Sequence, residues 1–412
     1  MARRTLVIIG GGAAGFFSAV NAARLDPAAR VILLEKSSKL LSKVKVSGGG
    51  RCNVTHACFS IADMVKKYPR GGSFLKKAFH HFFTEDTIEW FEQRGVKLKT
   101  ESDGRMFPVT DQSQTIINCL LQEAARYNIE IMMHTAVDCL EPFGHQWKLI
   151  AGAKEIMADA VCIATGGFSK EDQFGWIKKL GHTIVKPVPS LFTFNMPGNA
   201  ITALMGITVE HVSIKIAGTK LQEEGPVLVT HWGLSGPCVL KLSAWGAREL
   251  AAADYHFNIA VNWLPGYNEN TLKEKLQQLR FNIASQKIYN RNPFSLPARL
   301  WEYLLQQCDI DKELRWADLP AKEQNRLVKM LCTCLYAVKG KTTFKEEFVT
   351  AGGVSLNEID VNSMQSKICP GLFFAGEVID VDGVTGGFNF QNAWTTGWIA
   401  ANGMVNNSGS GQ

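Results

Sequence analysis

Thr5-Leu-Val-Ile-Ile9 runs directly into Gly10-Gly11-Gly12-Ala13-Ala14-Gly15, and Val31-Ile-Leu-Leu-Glu35 closes with an acid twenty residues beyond Gly15. The apolar run predicts a buried parallel strand. Gly10 suits a tight turn out of that strand. Gly12 lets backbone approach a pyrophosphate, and Gly15 lets the following helix, predicted over 16–25, pack on the sheet. The helix start offers N–H groups and a positive dipole end to phosphates. The second apolar run predicts the neighbouring strand, and the Glu35 carboxylate is placed to bind ribose hydroxyls. Strand, glycine turn, helix and acid in this order predict an α/β Rossmann-like domain that binds a dinucleotide.

Working outward, residues 36–56 read as a long loop holding Ser47-Gly-Gly-Gly-Arg-Cys-Asn-Val-Thr55. Helices are predicted over 74–94 and 112–128, and strands over 96–100, 129–133 and 159–167. Past Pro187-Val-Pro189 the character changes. Short alternating segments at 191–194, 207–216, 226–229 and 255–261 predict a β-rich insertion over 191–263. Helical patterns at 270–289, at 295–305 (Ser295 as cap, Pro297 in the first turn) and at 324–338 predict a helical cap over 264–340. Residues 341–412 return to α/β character and complete the first domain, 1–190. A strand ends before Glu377, a helix is predicted over 392–404, and 406–412 reads as a flexible tail.

The front motif alone fits NAD or FAD. Ala164-Thr165-Gly166-Gly167 ends a strand with small residues, as a chain passing close to a cofactor requires. Phe373-Phe-Ala-Gly-Glu377 puts a carboxylate where ribityl hydroxyls could be bound. Gly386-Gly387, with Asn389 and Gln391, opens a helix, and a helix N-terminus stabilises the negative N1–C2 edge of a reduced flavin. These three features, far from the front motif in sequence, favour FAD.

With these residues in view, the chain resembles a bacterial family of FAD-binding flavoproteins. Its members are described as NAD(P)/FAD-dependent oxidoreductases, aminoacetone oxidases or bile-acid-pathway reductases. The likeness covers nearly the whole chain. It is carried by 10–15, by 43–55 with Ser-Gly-Gly-Gly-Arg-Cys-Asn, and by Thr230-His-Trp-Gly-Leu-Ser-Gly-Pro237. Thr350-Ala-Gly-Gly-Val354, Gly376-Glu377 and Gly386-Gly-Phe-Asn389 complete it. The resemblance implies a glutathione reductase-like FAD domain interrupted by a β-barrel-like domain and a small helical domain. Residues and resemblance together make Gly10, Gly12, Ala13, Ala14, Gly15, Glu35 and Lys36 the expected contacts of the front half. Lys43, Gly50, Arg51, Cys52, Asn53, Val137, Thr165, Gly166 and Gly167 are expected around the middle of the cofactor. Gly376, Glu377, Gly386, Gly387, Phe388, Asn389 and Gln391 are expected at the flavin end.

For catalysis, Arg51 could neutralise a reduced flavin, hold an anionic substrate or bind the pyrophosphate. His231 could transfer a proton or serve as a structural cap, and Ser235 reads as the N-cap of a following helix. Cys52 could be a redox thiol or packing, and it lacks a CxxC partner. Thr350 to Val354 could place N–H groups near the isoalloxazine or form a tight turn. No second glycine fingerprint follows a strand, so NAD(P)H would bind transiently, or electrons would pass between substrate and oxygen.

The 412 residues are 46% hydrophobic and 20% charged, as in ordinary globular proteins, and no run of 18 apolar residues suggests a membrane helix. Met1-Ala-Arg-Arg4 imitates a secretory start, but the strand–turn–helix register explains the same residues, so a cytoplasmic protein is expected. The ten cysteines fit neither a disulfide scaffold nor a zinc site. The net charge is +6, with the densest basic stretch at Lys66, Lys67, Arg70, Lys76 and Lys77, which reads first as a solvated face and second as a patch for an anionic substrate or nucleic acid. The leading expectation is an FAD-dependent oxidoreductase acting on a small organic molecule. A flavoprotein acting on RNA and an NAD-dependent dehydrogenase without flavin are the alternatives.

Overall fold

A computed structural model describes residues 3–343 and 349–406. They form two compact units, one from residues up to Ser190 together with those from 349 onward, the other Leu191–Thr343. The first unit is built on a five-stranded parallel sheet. Its strands run Leu372–Phe374, Ala160–Ile163, Thr5–Ile9, Arg30–Leu34, Glu130–Met132 in spatial order. The three central strands are apolar runs buried on both faces, the pattern of a sheet covered on each side. The front helix, Ala13–Leu25, packs along the C-terminal helix, Phe388–Asn406. Gly397 permits that approach: a Cβ there would stand 2.9 Å from the Ala14 carbonyl oxygen. Phe17 then meets Trp394 at 5.2 Å and Trp90 at 4.6 Å between ring centroids.

Several local readings change. Residues 36–56 contain a short helical segment, Ser42–Gly50, which is broken at Ser47, Gly48 and Gly49. The single helix expected over 74–94 is two, Gly72–Ala78 and Thr84–Glu92; Phe83 is extended between them, and Phe79, Phe82 and Phe83 are buried in the core. Thr350 to Val354 is no turn. It belongs to the strand Val349–Val354, which pairs antiparallel with Ile184–Ser190. A three-stranded meander, Cys139–Phe143, Gln146–Ala151 and Lys154–Ala158, was not anticipated. The C-terminal helix starts four residues before the predicted 392. Asn406 is its last residue, and 407–412 lie outside the described residues.

The second unit holds a seven-stranded sheet with antiparallel pairing, from Cys334–Lys339 through His256–Asn262, Thr208–Ile216, Gln222–Thr230, Gly233–Ser235 and Thr193–Asn195 to Lys341–Thr342. The helix predicted over 324–338 ends early. Ala321–Cys332 is helical, and residues 334–339 form a strand alternating buried and exposed residues. The helix expected over 270–289 is Glu269–Asn282, capped by the Asn268 side chain. Neither serine caps as expected. Ser295 has φ 55° and Pro297 precedes the helix Ala298–Gln307. Ser235 lies in a strand, and the helix Pro237–Trp245 begins behind Gly236, whose φ of 96° favours glycine. Residues 191–263 and 264–340 share one hydrophobic cluster running from Phe192 to Val338.

Candidate functional site

The three fingerprint glycines separate into two kinds. A Cβ on Gly10 would lie 2.4 Å from the Ala164 carbonyl oxygen, and one on Gly15 would lie 1.9 Å from the Gly10 carbonyl oxygen. Those two are required by internal packing. A Cβ on Gly12 would meet nothing within 4 Å. The space in front of Gly12 is open, and it lies at the N-terminus of a 13-residue helix that no side chain caps. Ala13 and Ala14 add little bulk. Backbone N–H groups and the helix dipole therefore face an open space of the kind a pyrophosphate fills.

Glu35 stands beside this turn. Its Oε2 accepts from Gly11 N–H at 2.8 Å and its Oε1 from Ser37 N–H at 2.7 Å. Each oxygen keeps a further acceptor position. Thr135 N–H donates to the Glu35 carbonyl at 2.9 Å, which brings half-buried Val137 into the same neighbourhood. Lys36 lies over the Phe168 ring at 5.7 Å.

The loop after Ser42 turns on glycine. Gly48, Gly49 and Gly50 have φ of 60°, 70° and 86°, and Cys52 follows at 63°. Positions 49 and 50 would leave a Cβ in open space. Cys52 is fully buried, and burial pushes its thiol up to about 12, which favours packing over a redox thiol. Arg51 is also redirected. It pairs with Glu101 and Asp111 and stacks over Phe107 at 4.0 Å. Two carboxylates partner its charge at the protein surface. Asn53, with its amide oriented to match its neighbours, donates to the Thr55 carbonyl and accepts from Gly387 N–H, each at 2.9 Å.

Residues more than 300 positions apart in sequence converge here. Lys43 Nζ donates to Glu377 Oε2 at 2.6 Å, and Thr350 N–H donates to Glu377 Oε1 at 2.8 Å. A Cβ on Gly167 would meet Thr350 Oγ1 at 2.4 Å and Glu377 Oε1 at 2.7 Å. Thr165 and Gly166 lead into this contact. Thr350 Oγ1 is buried without a hydrogen-bond partner, a polar atom that a bound group could satisfy. Gly376, at φ 76°, approaches Ala14 of the front helix. Gly386 and Gly387 carry φ of 128° and 93°, and a Cβ on Gly387 would meet the Thr55 carbonyl at 2.5 Å. Asn389 closes its own loop, exchanging hydrogen bonds with Gly383 N–H and C=O. Gln391 is a correction. It is fully buried and its amide is spent on Thr55, Thr87 and Thr395, so it fastens the C-terminal helix and does not face a ligand.

Sequence reading missed the struts of this loop. Tyr68 O–H donates to the Phe388 carbonyl at 2.6 Å, and His56 stacks on the Phe388 ring at 4.6 Å. Asp382, fully buried, pairs with Arg70 and accepts from Ser190 Oγ at 2.7 Å. Burial pushes the Asp382 carboxyl upward against the pull of Arg70. The Asp380-Val-Asp382-Gly383 turn was the available signal. His231 lies in the other unit, exposed on the turn between Gln222–Thr230 and Gly233–Ser235. It caps no helix, and its ring meets Trp232 edge-on at 4.3 Å.

One further group has the hydrogen-bond order of an acyl-transfer triad. Ser366 Oγ lies 3.0 Å from His182 Nε2, and His182 Nδ1 lies 3.1 Å from Glu358 Oε2. Ser366 Oγ also accepts from Ile368 and Cys369 N–H, and both it and His182 are buried. It is a fastening for the 358–369 segment and not a nucleophile.

Residues 4–403 match the model of the HI0933-like protein Rossmann domain. The chain belongs to this family. HI0933-like proteins of this kind are FAD-dependent oxidoreductases, and the cradle fits such a dinucleotide: open space at Gly12, an uncapped helix start, and an orphaned Thr350 hydroxyl beside Glu377. The ribosomal RNA dihydrouridine synthase of Escherichia coli (strain K12) is 30% identical over 98% of this chain and 99% of its own length. The 3-dehydro-bile acid delta(4,6)-reductase of Clostridium scindens is 26% identical over 95% of this chain and 97% of its own. Among solved structures, an Escherichia coli quinol fumarate reductase chain superposes with a TM-score of 0.51 at 16% identity, covering 100% of this chain and 72% of that one. That likeness shows the fold alone. No helix among the described residues is long and apolar enough to cross a membrane.

Proposed function

We propose that this HI0933-like chain is an FAD-dependent reductase of a carbon–carbon double bond conjugated to a carbonyl, with uridine in ribosomal RNA as its substrate. The observation that carries the reading is a pair of full-length relatives with unlike substrates. A dihydrouridine synthase saturates the conjugated bond of a uracil ring. A 3-dehydro-bile acid delta(4,6)-reductase saturates bonds conjugated to a steroid ketone. The shared reaction then belongs to the shared flavin unit, and the RNA relative is the more similar of the two. This departs from the leading expectation of a small organic substrate and takes up the RNA alternative.

In this reading the Gly10 to Gly15 turn and the front helix hold the pyrophosphate. Glu35 binds the adenosine ribose, with Lys36 and Val137 on the adenine side. Lys43 holds the Glu377 carboxylate in place for ribityl hydroxyls, beside Thr165, Gly166 and Gly167. Gly386, Gly387 and the start of the C-terminal helix meet the flavin ring. The chemistry FAD supplies is hydride transfer to the carbon β to the carbonyl. A proton taken up from water at the α-carbon completes the reduction. NAD(P)H, bound transiently, is the proposed electron donor.

The test is direct. FAD-loaded protein is incubated with NADPH and a ribosomal RNA transcript, and nucleosides are measured by mass spectrometry. Dihydrouridine formation is expected. Turnover of a steroid enone with no dihydrouridine in any ribosomal RNA would overturn the substrate and favour the small-molecule reading.

A further inference from the structure

No Asp or Glu stands between Asp63 and Glu85, a stretch that holds Lys66, Lys67, Arg70, Lys76 and Lys77. This basic stretch is fastened to the loop that leads into the C-terminal helix. At one end His56 Nδ1 lies 3.0 Å from the Gly386 carbonyl. At the other, Val384 N–H donates to the Lys67 carbonyl at 2.9 Å, Tyr68 bonds the Phe388 carbonyl, and Arg70 pairs with Asp382. Residues 57–67 are therefore an excursion pinned at both ends on segment 382–388. The excursion carries Phe59, 56% exposed, and exposed Lys66 and Lys67. The helix Gly72–Ala78 follows, with Lys76 and Lys77 exposed in its last turn.

These lysines are available. Among the described residues Lys67, Lys76 and Lys77 make no ion pair. Lys66 pairs with Asp63 on the surface, 71% and 60% exposed, a contact worth little. Within the same unit, two cations next to the cradle are already partnered. Arg70 serves buried Asp382, and Lys43 serves Glu377.

We propose that residues 57–67 and the helix Gly72–Ala78 form the surface that holds the RNA strand beside the flavin cradle. Lys66, Lys67, Lys76 and Lys77 neutralise phosphates, and Phe59 stacks on a base next to the target. This rests on the RNA reading above. A uracil reaches an enzyme pocket only when its strand is held there and the base is unstacked. A lysine cluster with an exposed aromatic is the combination that single-stranded RNA recognises: charge along the backbone and a ring for the base. An exposed phenylalanine on the same pinned excursion as Lys66 and Lys67 distinguishes this surface from a plain solvated face.

The test compares FAD-loaded wild type with the fourfold variant Lys66→Gln, Lys67→Gln, Lys76→Gln, Lys77→Gln and with Phe59→Ala. Binding of a labelled ribosomal RNA fragment is measured across salt concentrations, with FAD content as the check on folding. The fourfold variant is expected to lose about three units of the log–log salt slope, at roughly 0.7 per phosphate on a single strand. The double variant Lys76→Gln, Lys77→Gln should lose about half of that, and it stands in should the fourfold chain fail to fold. Phe59→Ala should weaken binding about tenfold with the slope unchanged. An unchanged slope in a fully FAD-loaded lysine variant, while wild type still makes dihydrouridine, would overturn this surface and leave the proposed function standing. A wild type that neither binds RNA nor makes dihydrouridine overturns both. Lysine-dependent binding to phosphatidylserine vesicles without RNA binding would assign the patch to a membrane and overturn the proposal.

Discussion

Lys43 and Glu377 meet at 2.6 Å across 334 positions of sequence, so a helix near the start of the chain and a loop near its end form one wall. The Glu377 side chain is 15% exposed and that of Lys43 44% exposed. Such a half-exposed pair adds only about 0–1 kcal/mol to folding. Its value lies in fixing the carboxylate. Glu377→Ala also orphans the buried Thr350 N–H, so it should cost the FAD-free chain about 1–3 kcal/mol and raise the FAD dissociation constant by about tenfold or more, the worth of a hydrogen bond to a charged group. Equal FAD affinity in variant and wild type, measured by fluorescence quenching, would remove Glu377 from the cradle.

Cys52 gives a chemical prediction. Its thiol is buried and pushed up to about 12, whereas Cys58 is half-buried. Only the thiolate reacts readily. Iodoacetamide at pH 8 should label Cys58 and leave Cys52 unlabelled in the folded protein, with flavin reduction intact. Peptide mapping that found Cys52 labelled as fast as Cys58 would restore the redox-thiol reading.

His182 gives a pH prediction. Burial lowers its pKa from the ordinary 6.5, against the upward pull of Glu358. Between the lowered value and 6.5 the unfolded chain binds more protons than the folded one, so stability rises with pH there. The urea midpoint should thus fall as pH drops from about 7.5 to 5.5, and His182→Gln should flatten that fall. An identical fall in the variant would show that His182 does not titrate on unfolding.

The parts of the fold legible in the sequence are those with local causes. Thr5–Ile9, the glycine turn and Arg30–Leu34 are continuous apolar runs with punctuation at the right places, and the structure places them side by side in the sheet. The meander at 139–158 was unread because its strands alternate with charged residues, although Gly144 and Gly152, at φ 61° and 59°, mark both of its turns. The strand Val349–Val354 was unread because Gly352 and Gly353 argue against a strand, and only pairing with Ile184–Ser190 makes it one. At 334–338 the helical period of the preceding residues masked a switch to alternation. In the candidate site, the glycines and Glu377 were legible as types. The Arg70–Asp382–Ser190 strut and the Tyr68–Phe388 bond were not, since nothing in a linear pattern couples residues 192 to 320 positions apart.

The most direct measurement is the FAD content of three purified chains beside their unfolding free energies. Gly15→Ala should lose at least about 3 kcal/mol or fail to fold, because its new Cβ meets the Gly10 carbonyl oxygen at 1.9 Å. Gly12→Ala, facing open space, should match wild-type stability without cofactor within about 0.5 kcal/mol. Wild type should carry one FAD per chain, and Gly12→Ala should be folded yet nearly free of flavin. A folded wild-type chain that binds no FAD, or a Gly12→Ala chain that retains it in full, would contradict a flavin cradle built at this turn.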